Sequence, residues 1–143
     1  MRWRRRRWKA GPSSCRPRCP PAGALTQGAA VAGKDALPPE RVDEALAGLP
    51  DWRADNGGLV TVFKMPTAVA ALELIAAVGR LAEEQNHHPD LDWRYNRVFI
   101  RYTSHDAGGQ VTDRDIAAAA GASEAAAASG AVAEPAKYVP GRQ

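Results

Sequence analysis

Between Trp52 and Thr103 the spacing of apolar residues changes period twice. Trp52–Ala54 and Leu59–Lys64 read as strands joined by Asp55-Asn56-Gly57-Gly58, whose residues tolerate the positive φ of a tight hairpin. From Pro66 to about Asn86 the pattern turns helical: Ala71, Leu74, Ile75, Val78, Leu81 and Ala82 fall at offsets 0, 3, 4, 7, 10 and 11. Leu91–Tyr95 and Val98–Thr103 then return to extended chain. In the last strand Val98, Ile100 and Tyr102 share one face, and Phe99, Arg101 and Thr103 the other. Hairpins fix antiparallel neighbours, and a helix with one apolar face between them must cover the sheet they form.

Two further helices flank this unit. Pro38 and Pro39 suit a first helical turn, and Val42, Ala45, Leu46 and Leu49 follow on one face until Gly48 and Pro50 stop the helix. A third helix starts near Thr112-Asp113 and is almost all alanine beyond Ile116, a composition that favours helix but buries little area. The order is α-β-β-α-β-β-α. The predicted fold class is α+β, a four-stranded antiparallel sheet covered on one face by three helices.

The 143 residues suffice for one domain with tails. Residues 1–34 carry nine Lys/Arg and no acid, whereas residues 35–143 carry ten Lys/Arg against sixteen Asp/Glu. The domain is expected over 35–128, between a disordered basic tail (1–34) and a flexible tail (129–143). In the basic tail Arg4–Arg7 lie between Trp3 and Trp8, which offers charge beside stacking surfaces for nucleic acid. A targeting peptide or an idle extension are the other readings, and Ala10–Pro21 lacks the apolar run that a signal peptide needs. Both cysteines, Cys15 and Cys19, fall in this tail, so the domain has no disulfide framework. The longest uncharged run, Cys19–Gly33, contains two prolines and three glycines, so no membrane span is expected. A cytoplasmic protein fits this pattern.

The only three histidines, His87, His88 and His105, occupy nineteen residues. Histidine exchanges protons near neutral pH, which makes a cluster of them a candidate acid–base site. Pro89 disfavours the α region for His88, so His87 can finish the helix while His88 enters extended chain and the rings diverge. Glu83, one turn before His87, is placed to hydrogen-bond its imidazole. A metal held by two of these histidines with Asp90, Asp92 or Asp106 is the rival use, but neither the i, i+4 nor the i, i+2 spacing is present. No phosphate loop and no motif around a nucleophilic Ser or Cys occurs.

The run Glu83, His87-His88-Pro89, Tyr95-Asn96-Arg97, Ser104-His105-Asp106, Gly108-Gly109 and Arg114-Asp115 resembles the pterin-4a-carbinolamine dehydratase family over about residues 37–120, including Gly-Leu-Pro-Asp-Trp ending at Trp52. In animals that family doubles as a dimerisation cofactor of a homeodomain transcription factor. The resemblance implies a hydro-lyase that converts 4a-hydroxytetrahydropterin into quinonoid dihydropterin and water, with no metal and no organic cofactor. It implies catalytic roles for His87, His88 and His105, with His87 and His105 as the acid–base pair and His88 holding the pterin ring. It places Glu83, Asn86, Pro89, Thr103, Ser104, Asp106 and Asp115 around the substrate. It also implies a homodimer or homotetramer and a functional link to an aromatic amino acid hydroxylase. A non-catalytic regulatory or dimerisation module on the same fold is the alternative. Asn86 and Leu91 depart from the Asp and Trp of animal members, and the alanine-rich third helix lacks the family's bulky apolar residues.

Overall fold

A computed structural model describes residues 34–140. The readings placed on the basic tail, including Cys15 and Cys19, lie outside the described residues. The elements are α1 (Pro39–Ala47), β1 (Arg53–Asp55), β2 (Gly58–Lys64), α2 (Ala68–Gln85), β3 (Asp90–Arg94), β4 (Arg97–Tyr102), a 3₁₀ turn at His105–Ala107, α3 (Asp113–Ala128), β5 (Val132–Ala133) and a second 3₁₀ turn at Pro135–Lys137. The fold is α+β, with three helices and one antiparallel sheet of five strands. Its order is β1-β2-β4-β3, and β5 pairs with Phe63–Lys64 of β2, beyond the end of β1.

Local chemistry sets the boundaries. Asn56 and Gly57 both take positive φ (45° and 74°), the signature of the tight turn that suits strand twist. α2 begins two residues later than Pro66 suggests, because the Thr67 side chain accepts from the Ala70 amide at 3.0 Å and caps the helix there. α3 starts with a full capping box between Thr112 and Asp115.

Leu59 and Phe63 of β2 and Val98, Ile100 and Tyr102 of β4 face the helices, as the strand alternation requires. Ala71, Leu74 and Val78 of α2, Val42 of α1, and Ala118, Ala119 and Ala122 of α3 close the same core. The alanines of α3 serve as spacers that let its backbone approach. The helix thereby buries contact area that its side chains alone do not supply.

The opposite face departs from expectation. Val60 and Val62 are fully buried and Phe99 nearly so, although they point away from the helices. The C-terminal segment, read as a loose tail from Ser129, covers them. The Glu134 amide donates to the Val62 carbonyl at 2.7 Å, Arg53 donates to the carbonyls of Pro135 and Tyr138, and the Tyr138 ring lies 6.3 Å from that of Phe99. The fifth strand belongs to this strap and extends the β1 edge of the sheet, an addition its hairpins do not foretell.

Candidate functional site

The two histidine-bearing segments flank the β3–β4 hairpin, one between α2 and β3 and the other after β4. The first follows α2. Asn86 is left-handed (φ 49°), its amide bonds back to Glu83 O and the His87 amide to Ala82 O, which is a Schellman closure. Asparagine adopts that conformation more readily than most residues, which accounts for it at this cap. The helix therefore stops at Gln85, and His87 lies outside it rather than finishing it.

That stop separates the two rings. His87 turns inward and is 7% exposed. Its Nε2 is 2.7 Å from Asp115 Oδ1, and its ring stacks on Tyr102 with centroids 5.7 Å apart. His88 stays exposed, and its Nε2 is 2.8 Å from Glu83 Oε1. Glu83 thus pairs with His88, not with His87 as the helical spacing predicts. The i, i+4 relation holds only inside a continuing helix, and the left-handed Asn86 ends it.

Asp115 is the hub of the site. It is completely buried, and its Oδ2 accepts from Ser104 Oγ (2.8 Å), the Thr112 amide (2.8 Å) and Thr112 Oγ1 (3.0 Å). Its Oδ1 is the atom that meets His87. A carboxylate only accepts, so this network assigns the N–H of His87 to Nε2 and leaves Nδ1 free to take or give a proton. No buried polar side-chain atom among the described residues lacks a partner. Burial, and then the charge of Asp115, push the Tyr102 phenol up to about 12, so the ring beneath His87 stays neutral. Phe63, Trp52 and Tyr102 form an aromatic column from the core to this imidazole, with Trp52 anchored by its Nε1–H to Ser123 Oγ at 2.9 Å.

The second segment follows β4. Thr103 and Ser104 are buried and direct their hydroxyls inward, to Gly57 O and to Asp115. His105 and Asp106 then emerge on a 3₁₀ turn, both exposed. The β1–β2 turn supports this loop from behind, because Gly57 packs so closely that a Cβ there would run into the carbonyl oxygen of Gly109. Arg114 ties the loop to the first segment, donating to Asp106 Oδ2 at 3.1 Å and to the Asn86 carbonyl at 2.8 Å.

The residues singled out from sequence fall into two groups. His88, Glu83, Asn86, His105 and Asp106 are exposed, and Pro89 is half-buried beside them. Thr103, Ser104 and Asp115 lie behind, with their polar atoms bonded within the protein. Sequence reading named Arg114 only as part of the motif and Tyr102 only as a strand-face residue, and gave neither a place in the site. Tyr102 carried a usable signal, since its strand alternation aims it at the same side as α2, the helix that precedes His87. Clefts beside α1 (Leu37, Arg41, Glu44, Asp113, Ile116) and between α2 and α3 (Arg80, Glu84, Gly121, Glu124) hold none of the histidines. Among the described residues no group of three or more His, Cys, Asp or Glu is placed to hold a metal ion, and no helix is long and apolar enough to cross a membrane.

An antiparallel sheet under three helices, with His87 held by the buried Asp115 and His88 and His105 exposed on the adjoining segments, defines the class of domain. The family model of pterin 4 alpha carbinolamine dehydratase matches residues 35–125, and the chain belongs to that family. A protein of Chloroflexus aurantiacus named "Putative pterin-4-alpha-carbinolamine dehydratase" is 45% identical over 83 residues, 58% of this chain and 88% of the relative. One of the same name from Streptomyces coelicolor is 37% identical over 95 residues, 66% of this chain and 94% of the relative. The crystal structure of a transcriptional coactivator/pterin dehydratase from Brucella melitensis superposes with a TM-score of 0.62 at 28% identity, covering 64% of this chain and 99% of that one.

Proposed function

We propose that this protein dehydrates 4a-hydroxytetrahydropterin to quinonoid dihydropterin and water, in the recycling of tetrahydrobiopterin. The observation that carries the reading is the Asp115 hub, which fixes His87 through Oδ1 and the root of the His105 loop through Oδ2. Two proton-transfer groups on separate segments are thereby referred to one buried carboxylate.

The reaction needs two such groups. Hydroxide leaves C4a poorly, so an acid protonates the 4a-oxygen. A base removes the N5 proton, the N5 electrons form the C4a–N5 double bond, and the C4a–O bond breaks to release water. Each proton transfer is worth ~10²–10⁴ in rate. His87 Nδ1 and the His105 imidazole are the pair assigned to these steps. His88, with Glu83 orienting its ring, and the exposed Asn86 and Asp106 are assigned to holding the substrate beside them. Assembly as a homodimer or homotetramer, and supply of substrate by an aromatic amino acid hydroxylase, belong to the same proposal.

Stopped-flow measurement of carbinolamine breakdown tests it. The wild-type protein accelerates the loss of carbinolamine, and His87→Ala and His105→Ala each lower the rate at least tenfold, by the ordinary worth of one proton transfer. Wild-type protein without effect on the decay excludes the reading. Two variants at full rate exclude the assignment of these histidines.

A further inference from the structure

We propose that Arg114 is a positioning residue that sets the His105 loop in register with the His87–His88 segment. The inference rests on the dehydratase reading for its kinetic part and on geometry alone for the rest. Among the described residues no side-chain hydrogen bond joins His105 to His87 or His88 directly. The connection runs through two consecutive residues in the first turn of α3. Asp115 makes it in the interior and Arg114 makes it at the rim, where its side chain is 20% exposed.

Each end of the Arg114 contact answers a local need. At one end the carbonyl of Asn86 belongs to the C-terminal cap of α2, where partial negative charge collects. The last turn of α2 carries no basic residue of its own, so Arg114 brings the cation from another element. At the other end Asp106 lies at the tip of a loop whose following residues, Gly108 and Gly109, both have positive φ (69° and 73°). That loop is pinned at its base by the Ser104–Gln110 bridge, and the Asp106 contact is its side-chain tether at the tip. A guanidinium suits the double task because its planar fork serves two acceptors at once, whereas an ammonium is a single point charge.

Partly exposed contacts of this kind contribute little to global stability. Geometry at a reacting centre is far more sensitive, since a displacement of about 1 Å can cost ~10²-fold in rate. The two readouts therefore separate for Arg114. Arg114→Gln is expected to lower kcat about tenfold, with KM within about threefold and an unchanged melting temperature. Arg114→Lys, which keeps the charge and reaches one acceptor, is expected to recover part of the loss.

Amide hydrogen exchange supplies a readout independent of turnover. The amides of Ala107, Gly108 and Gly109 bond within the loop, to Ser104, His105 and Ser104 carbonyls. In Arg114→Gln they exchange faster than in wild type, while amides of the α2 core keep their protection. A wild-type protein without dehydratase activity removes the functional reading and leaves the exchange test intact. Unchanged loop exchange in Arg114→Gln overturns the proposal. A raised KM with kcat unaltered also overturns it, because that pattern marks direct substrate contact. If Arg114→Gln does not fold, Arg114→Lys takes the same two measurements, and wild-type values in both overturn the proposal.

Discussion

On its helix side the sheet meets α1, α2 and α3, and the contact continues from Phe63 through Trp52 and Tyr102 to His87 and Asp115. On its outer side it meets, among the described residues, the strap at residues 132–140, laid over Val60, Val62 and Phe99. Arg94 covers the same Phe99 ring, 4.4 Å from its centroid. Both sides exclude water from apolar side chains. The helix side also buries a carboxylate and the donors it requires, and it ends in the candidate site. The outer side is tied down by backbone hydrogen bonds and half-exposed ion pairs. The candidate site therefore lies on the side that buries a charged network, and no residue of the strap bonds to that network.

The largest effect expected on this contrast comes from Asp115→Ala. It strips the acceptor from His87, Ser104 and Thr112 together, and truncating one member of a buried charged network costs about 3–5 kcal/mol. A urea unfolding curve should show that loss, and turnover should disappear with it. A smaller loss than that caused by removing the strap would invert the ranking of the two sides.

Ending the chain at Gly130 removes the strap. Val60, Val62 and Phe99 then regain solvent on one side, which at ~1.5–3 kcal/mol for full burial of each amounts to a partial loss of about 2–3 kcal/mol. Turnover measured well below the lowered melting temperature should stay within about threefold of wild type, the range expected when a substitution misses the reacting groups. Loss of turnover without unfolding would show that the outer side reaches the site.

The two sides were also unequal in what their sequence disclosed. Hydrophobic periodicity reports burial against a repeating surface, so α2, both hairpins and the helix-facing set Val98, Ile100 and Tyr102 were legible. The strap, Val132 to Pro140, has no period, because it meets the sheet through backbone hydrogen bonds and isolated rings. The apolar Val60, Val62 and Phe99 were its trace, on strand positions that a solvent-facing side would fill with polar residues. Within the site, the histidines and Asp115 were visible as a motif. The partner of each was not, because one left-handed residue at Asn86 redirects both rings and spacing rules assume that the helix continues.

The alkaline limb of stability sharpens the contrast through two tyrosines. Tyr102 on the helix side is held up to about 12, by burial first and the Asp115 charge second. An unfolded tyrosine titrates near 10, so the stabilisation is complete below pH 10 and is lost as pH rises toward 12. The loss is on the order of 2 kcal/mol. Tyr138 on the outer side is also raised, by burial, but the Arg101 charge opposes the shift. Tyr102→Phe should therefore flatten the alkaline slope of a thermal-melt series more than Tyr138→Phe. The reverse order would place the drier environment on the outer side.

The smallest effect belongs to Glu134, the acidic clasp of the strap. Hydrogen bonds from Lys137 and then Arg97 hold its carboxyl below its ordinary value of 4.5. A depressed carboxyl stabilises the folded form at pH above 4.5 and loses that contribution as pH falls through the lower folded value. Both pairs lie toward the surface, where ion pairs are screened, so global unfolding should hardly register the change. The local reporter is the Glu134 amide, which donates to Val62 O and closes the strap on β2. Acidification should raise its exchange, corrected for the intrinsic pH dependence, before that of the β2–β4 amides. Glu134→Gln should produce the same local loosening at neutral pH and remove its acid dependence. Simultaneous loosening of β4 would mean that strap and sheet open as one unit, so the outer side would be as integral to the fold as the helix side.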